Sequence, residues 1–250
     1  MHISKEGETR KKELMDAALM VFCKKGYEVS SVQDIIDTVG VTRGAFYHYF
    51  DSKEEIMRLI AYQQAENVID ICRNITEDKD LNAFEQLEKC FTALLEFKVA
   101  NKEKWVQITE ALYKYEENIR LRGIIDKKVK CELIPVFIDI IERGEKEGVF
   151  TTTYSEEIAE MICVLGFHYT IVKFDFFKNR KKMEAEKALR SRMLFLLEML
   201  ENNLGLQPGS FDILEQIETS IAEISDSVFS YYIKKDKAEE DYGVKKQKEQ

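Results

Sequence analysis

Apolar residues recur along this chain at intervals of three and four, which is the spacing of one face of an α-helix. The first such stripe covers residues 14–22 and the second covers residues 32–39. Gly26 and Gly40 follow the two stripes, and glycine commonly closes a helix because it adopts left-handed backbone angles without strain. The spacing therefore predicts two helices near the start of the chain.

Polar residues mark where the second helix and the one after it begin. Ser30 with Gln33 fits a capping box ahead of the second helix, and Ser31 is an alternative N-cap. After a tight turn, Thr42 is placed to cap a short third helix within VTRGAFYHYF, residues 41–50. Two short helices joined in this way are the layout of a helix-turn-helix, whose second helix enters a groove of DNA.

The same spacing continues through most of the remaining chain, so the sequence predicts an all-α protein. Apolar residues between 214 and 231 form a heptad-like seam, and that helix must dock on its own domain or on a second subunit. Residues 235–250 lack apolar periodicity and are expected to fray. The other predicted helices lie near residues 53–72, 84–95, 105–115, 126–146, 155–172 and 182–204.

Composition agrees with a helical protein and limits its partners. Only two prolines and eleven glycines interrupt 250 residues. The net charge of −9 opposes a broad attraction to nucleic acid, yet residues 1–53 carry eight basic and eight acidic side chains and are neutral. Any DNA-binding surface must therefore be local.

Residues suited to catalysis or metal binding are sparse. The five cysteines lie among apolar residues without a C-x-x-C pair, and they are expected to be buried, reduced thiols. The three histidines lack ligand spacing to any cysteine, and neither a Gly-rich phosphate loop nor a G-x-S-x-G motif is present. The sequence thus predicts no metal, no cofactor and no enzymatic activity. A polar N-terminus and the lack of a membrane-length apolar run predict a cytoplasmic protein.

On a helical wheel, the residues of VTRGAFYHYF separate into two faces. Phe46 and Phe50 fall on the side that would pack against the first two helices. An arginine and two hydrogen-bonding rings fall on the outer side, where they can reach phosphate or a base edge. Gly44 costs about 1 kcal/mol in a helix relative to alanine, and its expected gain is close approach of the backbone to DNA. The outward residues are Arg43, Gly44, Tyr47 and His48.

Residues 9–62 resemble the DNA-binding domain of TetR-family transcriptional regulators, and VTRGAFYHYFDSKEE is close to that family's signature. ERGEKEGVF, residues 142–150, also resembles the end of the helix before the family's dimerisation pair. The resemblance implies a three-helix DNA-binding head and a larger helical effector-binding and dimerisation domain. The expected division is 1–53 for the head, 54–204 for the second domain, 205–234 for an additional helix and 235–250 for a disordered tail.

The resemblance also implies a homodimer on a double-stranded DNA operator, most often a repressor that a small-molecule effector releases. Helices near 155–172 and 182–204 would form the dimer's four-helix bundle. A basic arm is common before the family's first helix, but here residues 10–12 are offset by acidic neighbours. The residues expected to face DNA are Ser30, Ser31, Thr42, Arg43, Gly44, Ala45, Tyr47, His48 and Lys53.

Aromatic and polar residues of the second domain are candidates to line an effector cavity. A different interpretation stays open, namely a helical dimeric ligand sensor or interaction protein without specific DNA binding. The neutral head and the weak basic arm motivate it, and steep salt dependence with sequence-specific competition would separate the two functions. The candidate cavity residues are Trp105, Tyr113, Phe137, Phe167, His168 and Tyr169.

Overall fold

The computed structural model describes residues 5–25, 27, 29–106, 109, 119–168 and 181–248. Over these ranges the chain is helices and turns without a strand, which confirms the all-α fold. No helix in the described ranges is long and apolar enough to cross a membrane. The helices are α1 Lys5–Lys25, α2 Val32–Val39, α3 Arg43–Tyr49, α4 Lys53–Thr76, α5 Ala83–Ala100, α6 Ile119–Glu147, α7 Ser155–His168, α8 Lys182–Leu204 and α9 Leu214–Lys248.

The chain divides into two compact units, and the boundary differs from the one expected at residue 53. The units are Met1–Asp70 with Gln107–Glu132, and Ile71–Val106 with Leu133–Gln250. The division follows packing rather than order along the chain, because Ile124 and Ile125 of α6 pack on the apolar core of the first unit. Consequently α4 and α6 each begin in the first unit and end in the second.

The core of the first unit joins α1, α2, α3 and the first turns of α4. Its largest fully buried side chains include Leu14, Phe22, Phe46 and Ile56, contributed by three of these helices. Each such side chain stabilises the fold by about 1.5–3 kcal/mol on removal from water. This core holds the short α3 in place, since a helix of seven residues has little stability of its own.

A buried polar network joins the start of α5 to the end of α6 in the second unit. The fully buried Gln86 amide donates to the Asp78 carbonyl oxygen at 2.7 Å, and Arg143 donates to the Gln86 side-chain oxygen. Arg143 also pairs with Glu147 at 3.1 Å, and Glu147 accepts from the Ala83 backbone N–H at 2.8 Å. With these partners the network fixes α5 and α6 against each other in the second unit.

The apolar seam of residues 214–231 packs on its own unit, which is the first of the two docking sites expected for this helix. α9 packs against α5 and α8. Ile224 and Val228 are buried in a cluster with Val106 and with Leu189 of α8. Because these side chains are already covered, α9 is an integral part of the second unit.

The loop before α9 is fixed by a buried carboxylate. Glu201 of α8 is only 6% exposed, and its two oxygens accept from the backbone N–H groups of Gly209 at 3.0 Å and Phe211 at 3.2 Å. The ring of Phe211 packs between Phe84 and Phe91, at centroid distances of 5.2 and 5.8 Å. The break at residues 204–210 is thus an ordered connection.

α9 continues to Lys248, although a disordered tail was expected from residue 235. Residues 235–248 include five lysines and two glutamates and contain no proline. Opposite charges recur four residues apart, as in Lys235 with Glu239 and Lys237 with Asp241. Such a sequence favours helix even where no apolar stripe exists to pack it.

The cysteines follow the expectation of buried thiols with one exception. Cys72, Cys90 and Cys163 are buried. A hydrogen bond with Cys72, together with burial, raises the pKa of Cys90 far above its ordinary value, so this thiol stays protonated. Cys131 is exposed, contrary to the prediction, because it lies on the outer face of α6. The Cys23 side chain lies outside the described residues.

Candidate nucleic-acid interface

The N-cap of α2 is Ser31 rather than Ser30. The Ser31 hydroxyl accepts from the Asp34 backbone N–H at 3.1 Å, and the Ser31 backbone N–H donates to the Asp34 carboxylate at 2.9 Å. Gln33, the expected partner of Ser30, donates instead to Asp37 at 2.7 Å. The alternative cap is therefore the one used, and it leaves Ser31 exposed while Ser30 is only 4% exposed.

The turn between α2 and α3 depends on a glycine and a threonine. Gly40 has a φ of 74°, and its N–H and that of Val41 donate to the Ile36 carbonyl oxygen at 2.8 and 3.1 Å. The left-handed backbone makes glycine the suitable residue there. Thr42 then caps α3, because its hydroxyl accepts from the Ala45 backbone N–H at 3.2 Å.

The inner face of α3 consists of aromatic rings in the core. Phe46 and Phe50 are 0% and 1% exposed, and their ring centroids lie 5.5 Å apart. The inner side read from the helical wheel is therefore confirmed. These rings fix the rotation of α3 and so determine which residues face outward.

The outer face of α3 presents hydrogen-bonding groups to solvent. Arg43 and His48 are exposed, and Tyr47 is 46% exposed. The Arg43 guanidinium carbon lies 5.9 Å from the centroid of the Tyr47 ring, a distance at which a cation–π contact orients both groups. Arginine and tyrosine side chains of this kind donate to phosphate oxygens, and arginine also reads a guanine edge.

Gly44 lies between these groups, and the packing of the protein gives no reason for a glycine there. A Cβ at this position would meet nothing closer than the Thr42 hydroxyl oxygen, 3.9 Å away. Its backbone is α-helical rather than left-handed. An alanine would fit and would favour the helix by about 1 kcal/mol.

Lys53 is held inside the head. Its ammonium donates to the carbonyl oxygens of Tyr27 at 2.7 Å and Ser30 at 2.8 Å, and lies 4.2 Å from the Tyr27 ring centroid. These contacts join the start of α4 to the turn between α1 and α2. Lys53 and Ser30 thus position the helices, whereas the sequence had placed both on the DNA-facing surface.

The nine residues that the sequence predicts to face DNA therefore differ in their exposure. Ala45 is partly exposed, and Ser30 and Lys53 are held by the contacts just described. Near the N-terminus, Arg10 pairs with Glu13 at 2.7 Å, which agrees with the expected neutralisation of the arm. The exposed set is Ser31, Thr42, Arg43, Gly44, Tyr47 and His48.

The second unit contains a small apolar cavity of about 50 Å³. Phe137 lines it, as the sequence suggested, whereas Trp105 packs on the separate cluster beneath α9. Tyr113 and Tyr169 lie outside the described residues, as do the side chains of Phe167 and His168. The described lining residues are Phe91, Leu94, Leu95, Lys98, Phe137, Ile162, Met193 and Leu196.

Lys98 is a lining residue that the sequence did not single out. It lies in the last turn of α5 and is partly buried. Desolvation lowers the pKa of its ammonium from 10.5 to about 8. From the sequence, a lysine in an amphipathic helix is interpreted as a solvated side chain. Its place in the cavity lining is seen only in the packing of four helices.

Comparison with known sequences supports this geometry. The sequence model described as "Bacterial regulatory proteins, tetR family" matches residues 14–60, which contain α2, α3 and the outer face just described. A second model, "Tetracyclin repressor-like, C-terminal domain", matches residues 120–191. The chain belongs to the TetR family. It is therefore a DNA-binding transcriptional regulator.

Individual relatives agree with the family assignment. The TetC protein of transposon Tn10 from Escherichia coli is 33% identical over 100 residues, which is 40% of this chain and about half, 49%, of TetC. The transcriptional repressor KstR2 of Rhodococcus jostii is 26% identical over 150 residues, 60% of this chain and 72% of KstR2. Salmonella enterica GusR shares the fold, with a TM-score of 0.58 at 16% identity over 82% of this chain and 100% of GusR.

Proposed function

We propose that this TetR-family regulator is a homodimeric repressor. It binds a double-stranded DNA operator through α3 and leaves it when a small molecule binds the second unit. The outer face of α3 carries this proposal, because it combines exposed Arg43 and Tyr47 with a glycine that the fold itself does not need. Close approach of the Gly44 backbone to DNA supplies the missing reason for that glycine.

The DNA contacts follow from the exposed set. Arg43 donates to a phosphate or bidentately to a guanine edge, and Tyr47 donates to a phosphate or touches a thymine methyl group. Ser31, Thr42 and His48 add hydrogen bonds to the backbone of DNA. We leave Ser30 and Lys53 out of the proposed contacts, since the Lys53 ammonium is bound to the Tyr27 and Ser30 carbonyl oxygens.

Dimerisation is supported by the exposed apolar side chains of α7 and α8. Phe195 of α8 is 52% exposed and Val164 of α7 is 38% exposed, while Leu194 and Met199 are partly exposed. These are the two helices that the family resemblance assigns to the dimer. A two-fold dimer places its recognition helices in successive major grooves, about 34–36 Å apart.

Release by an effector requires that ligand binding favour one of two conformations. α4 and α6 each run from the first unit into the second, so both are suited to transmit such a shift to the head. A regulator of this kind works where the chromosome is, which places it in the cytoplasm, and it needs no catalytic activity. The alternative of a ligand sensor without specific DNA binding is not favoured, because it leaves the outer face of α3 without a purpose.

Fluorescence anisotropy with labelled fragments from upstream of the protein's own gene tests the proposal. We expect unrelated DNA to compete at least about 10³-fold less well than the bound fragment. We also expect affinity to fall steeply between 50 and 200 mM salt, as counterion release requires. If unrelated DNA competed equally well against every fragment tested, including fragments from across the genome, the proposal would be wrong.

A further inference from the structure

The ring of Tyr47 contacts both the core of the first unit and the Arg43 side chain. It meets the ring of Phe46 in a T-shaped arrangement, with centroids 5.4 Å apart and ring planes at 85°. Phe46 is fully buried, so this contact braces the Tyr47 ring against a fixed part of the core. The Arg43 guanidinium carbon lies over the Tyr47 ring, 5.9 Å from its centroid. The three side chains therefore form a series that runs from the core to the exposed arginine.

The contact between Arg43 and Tyr47 restrains the arginine. The two residues lie four positions apart on α3, which places their side chains next to each other on one face of the helix. A guanidinium over a tyrosine ring is attracted by the negative face of the ring. Over the part of the chain that the structure describes, no ion pair or hydrogen bond holds the Arg43 guanidinium in a different position. The ring thus orders an exposed side chain that would otherwise sample many rotamers.

Such a restraint matters more for one kind of DNA contact than for the other. Bidentate donation to guanine O6 and N7 needs the plane of the guanidinium to match the plane of the base. A phosphate group accepts hydrogen bonds from many directions and makes no comparable demand on orientation. A guanidinium that is oriented before binding loses less conformational entropy when the guanine contact forms. The geometry of Arg43 therefore favours base readout over a phosphate contact.

We propose that Tyr47 is a positioning residue, whose ring holds the Arg43 guanidinium ready for bidentate donation to a guanine of the operator. The proposal rests on the function proposed above and names the base that α3 reads. The face of the ring does this work, and the Tyr47 hydroxyl stays available to a phosphate oxygen. Removing the ring therefore lowers discrimination at one guanine, whereas removing only the hydroxyl changes affinity equally for all sequences.

A guanine scan of the bound fragment tests the effect on discrimination by fluorescence anisotropy. Each guanine is replaced in turn by adenine, with its partner changed to match. In the wild type, one position in each half-site should weaken binding at least about fivefold, and in Arg43→Ala that penalty should disappear. In Tyr47→Leu the same penalty should shrink about two- to fivefold, because the arginine is no longer held. Tyr47→Phe keeps the ring without its hydroxyl and should retain the full penalty.

Two further measurements separate positioning from a general loss of affinity. In the Arg43→Ala background, Tyr47→Leu should leave the discrimination between guanine and adenine unchanged, since the two residues act as one unit. Nuclear magnetic resonance without DNA should show the Arg43 δ-methylene protons shifted by the ring current in the wild type and in Tyr47→Phe. The shift should be absent in Tyr47→Leu, and circular dichroism checks that each variant is folded.

Three results would overturn the inference. They are a full guanine penalty in folded Tyr47→Leu, a penalty that persists at every guanine in Arg43→Ala, and Arg43 protons without a ring-current shift in the wild type. Specific operator binding combined with any of these contradicts the positioning role alone. Absence of specific binding by the wild type contradicts the proposed function instead, so the two failures are distinguishable.

Discussion

The Lys53 ammonium donates to the Ser30 carbonyl oxygen at 2.8 Å, which joins the start of α4 to the residue before the α2 cap. A second bond to the Tyr27 carbonyl oxygen and the Tyr27 ring completes the site. The lysine thereby determines how the helix-turn-helix is attached to α4.

Replacing Lys53 with methionine is expected to destabilise the head. Two charge-assisted hydrogen bonds are lost, so the free energy of unfolding should fall by about 2–4 kcal/mol. Urea denaturation followed by circular dichroism measures the change, with Lys12→Met, at an exposed position, as the control. A folded, fully stable Lys53→Met protein with weakened DNA binding would instead identify Lys53 as a phosphate contact.

Gly44→Ala should raise stability and weaken DNA binding at the same time. The helix gains up to about 1 kcal/mol, because the new methyl group meets only the Thr42 hydroxyl oxygen, in ordinary contact at 3.9 Å. In the DNA complex the same methyl group separates the α3 backbone from the sugar-phosphate chain. Gly123→Ala is the matched control, since a Cβ there meets nothing within 4 Å and it lies on α6. Unchanged DNA affinity in Gly44→Ala would remove the proposed reason for the glycine.

Phe195→Glu should convert the proposed homodimer to a monomer. A charge in the centre of an apolar interface must be buried without a partner, which costs several kcal/mol. Sedimentation equilibrium measures the mass, and Leu214→Glu is the control because Leu214 has a similar exposure of 50% on α9. Dimers of unchanged stability in Phe195→Glu would place the interface elsewhere.

Lys98→Met should stabilise the protein at neutral pH by about 1–2 kcal/mol, a value reduced for the partial exposure of the side chain. The folded pKa of about 8 lies below the unfolded 10.5, so folding opposes the charged form. The cost of the Lys98 charge to folding stability is fully present below pH 8. It declines as pH rises toward 10.5, because there the Lys98 ammonium of the folded state has already lost its proton. Urea denaturation at pH 7 and pH 10 should therefore show a shrinking difference from the wild type. A constant difference would mean that desolvation of the ammonium is not its cause.

Local patterns predicted the head well. Capping residues, Gly40 and the alternation of faces in α3 are decided by neighbours along the chain, and the family signature covers the same residues. The choice of Ser31 over Ser30 was left open, because both serines precede α2 and only the geometry of the Asp34 carboxylate separates them.

Features that depend on distant packing could not be predicted in this way. Lys53 contacts residues 23 and 26 positions earlier in the chain, and no sequence spacing indicates such a tether. Lys98 became a cavity residue only when α5, α6, α7 and α8 came together. The helix beyond residue 235 was missed because apolar periodicity reports packing, whereas helix formation there follows from residue propensity.

The central claim is that the outer face of α3 reads DNA, and one pair of variants tests it most directly. Tyr47→Ala and Tyr154→Ala remove the same side chain from exposed positions, 46% and 59% exposed, in the first and second unit. Anisotropy on the operator fragment should show affinity reduced at least about tenfold for Tyr47→Ala and unchanged for Tyr154→Ala, with the fold of both intact. Wild-type affinity in Tyr47→Ala would contradict the account.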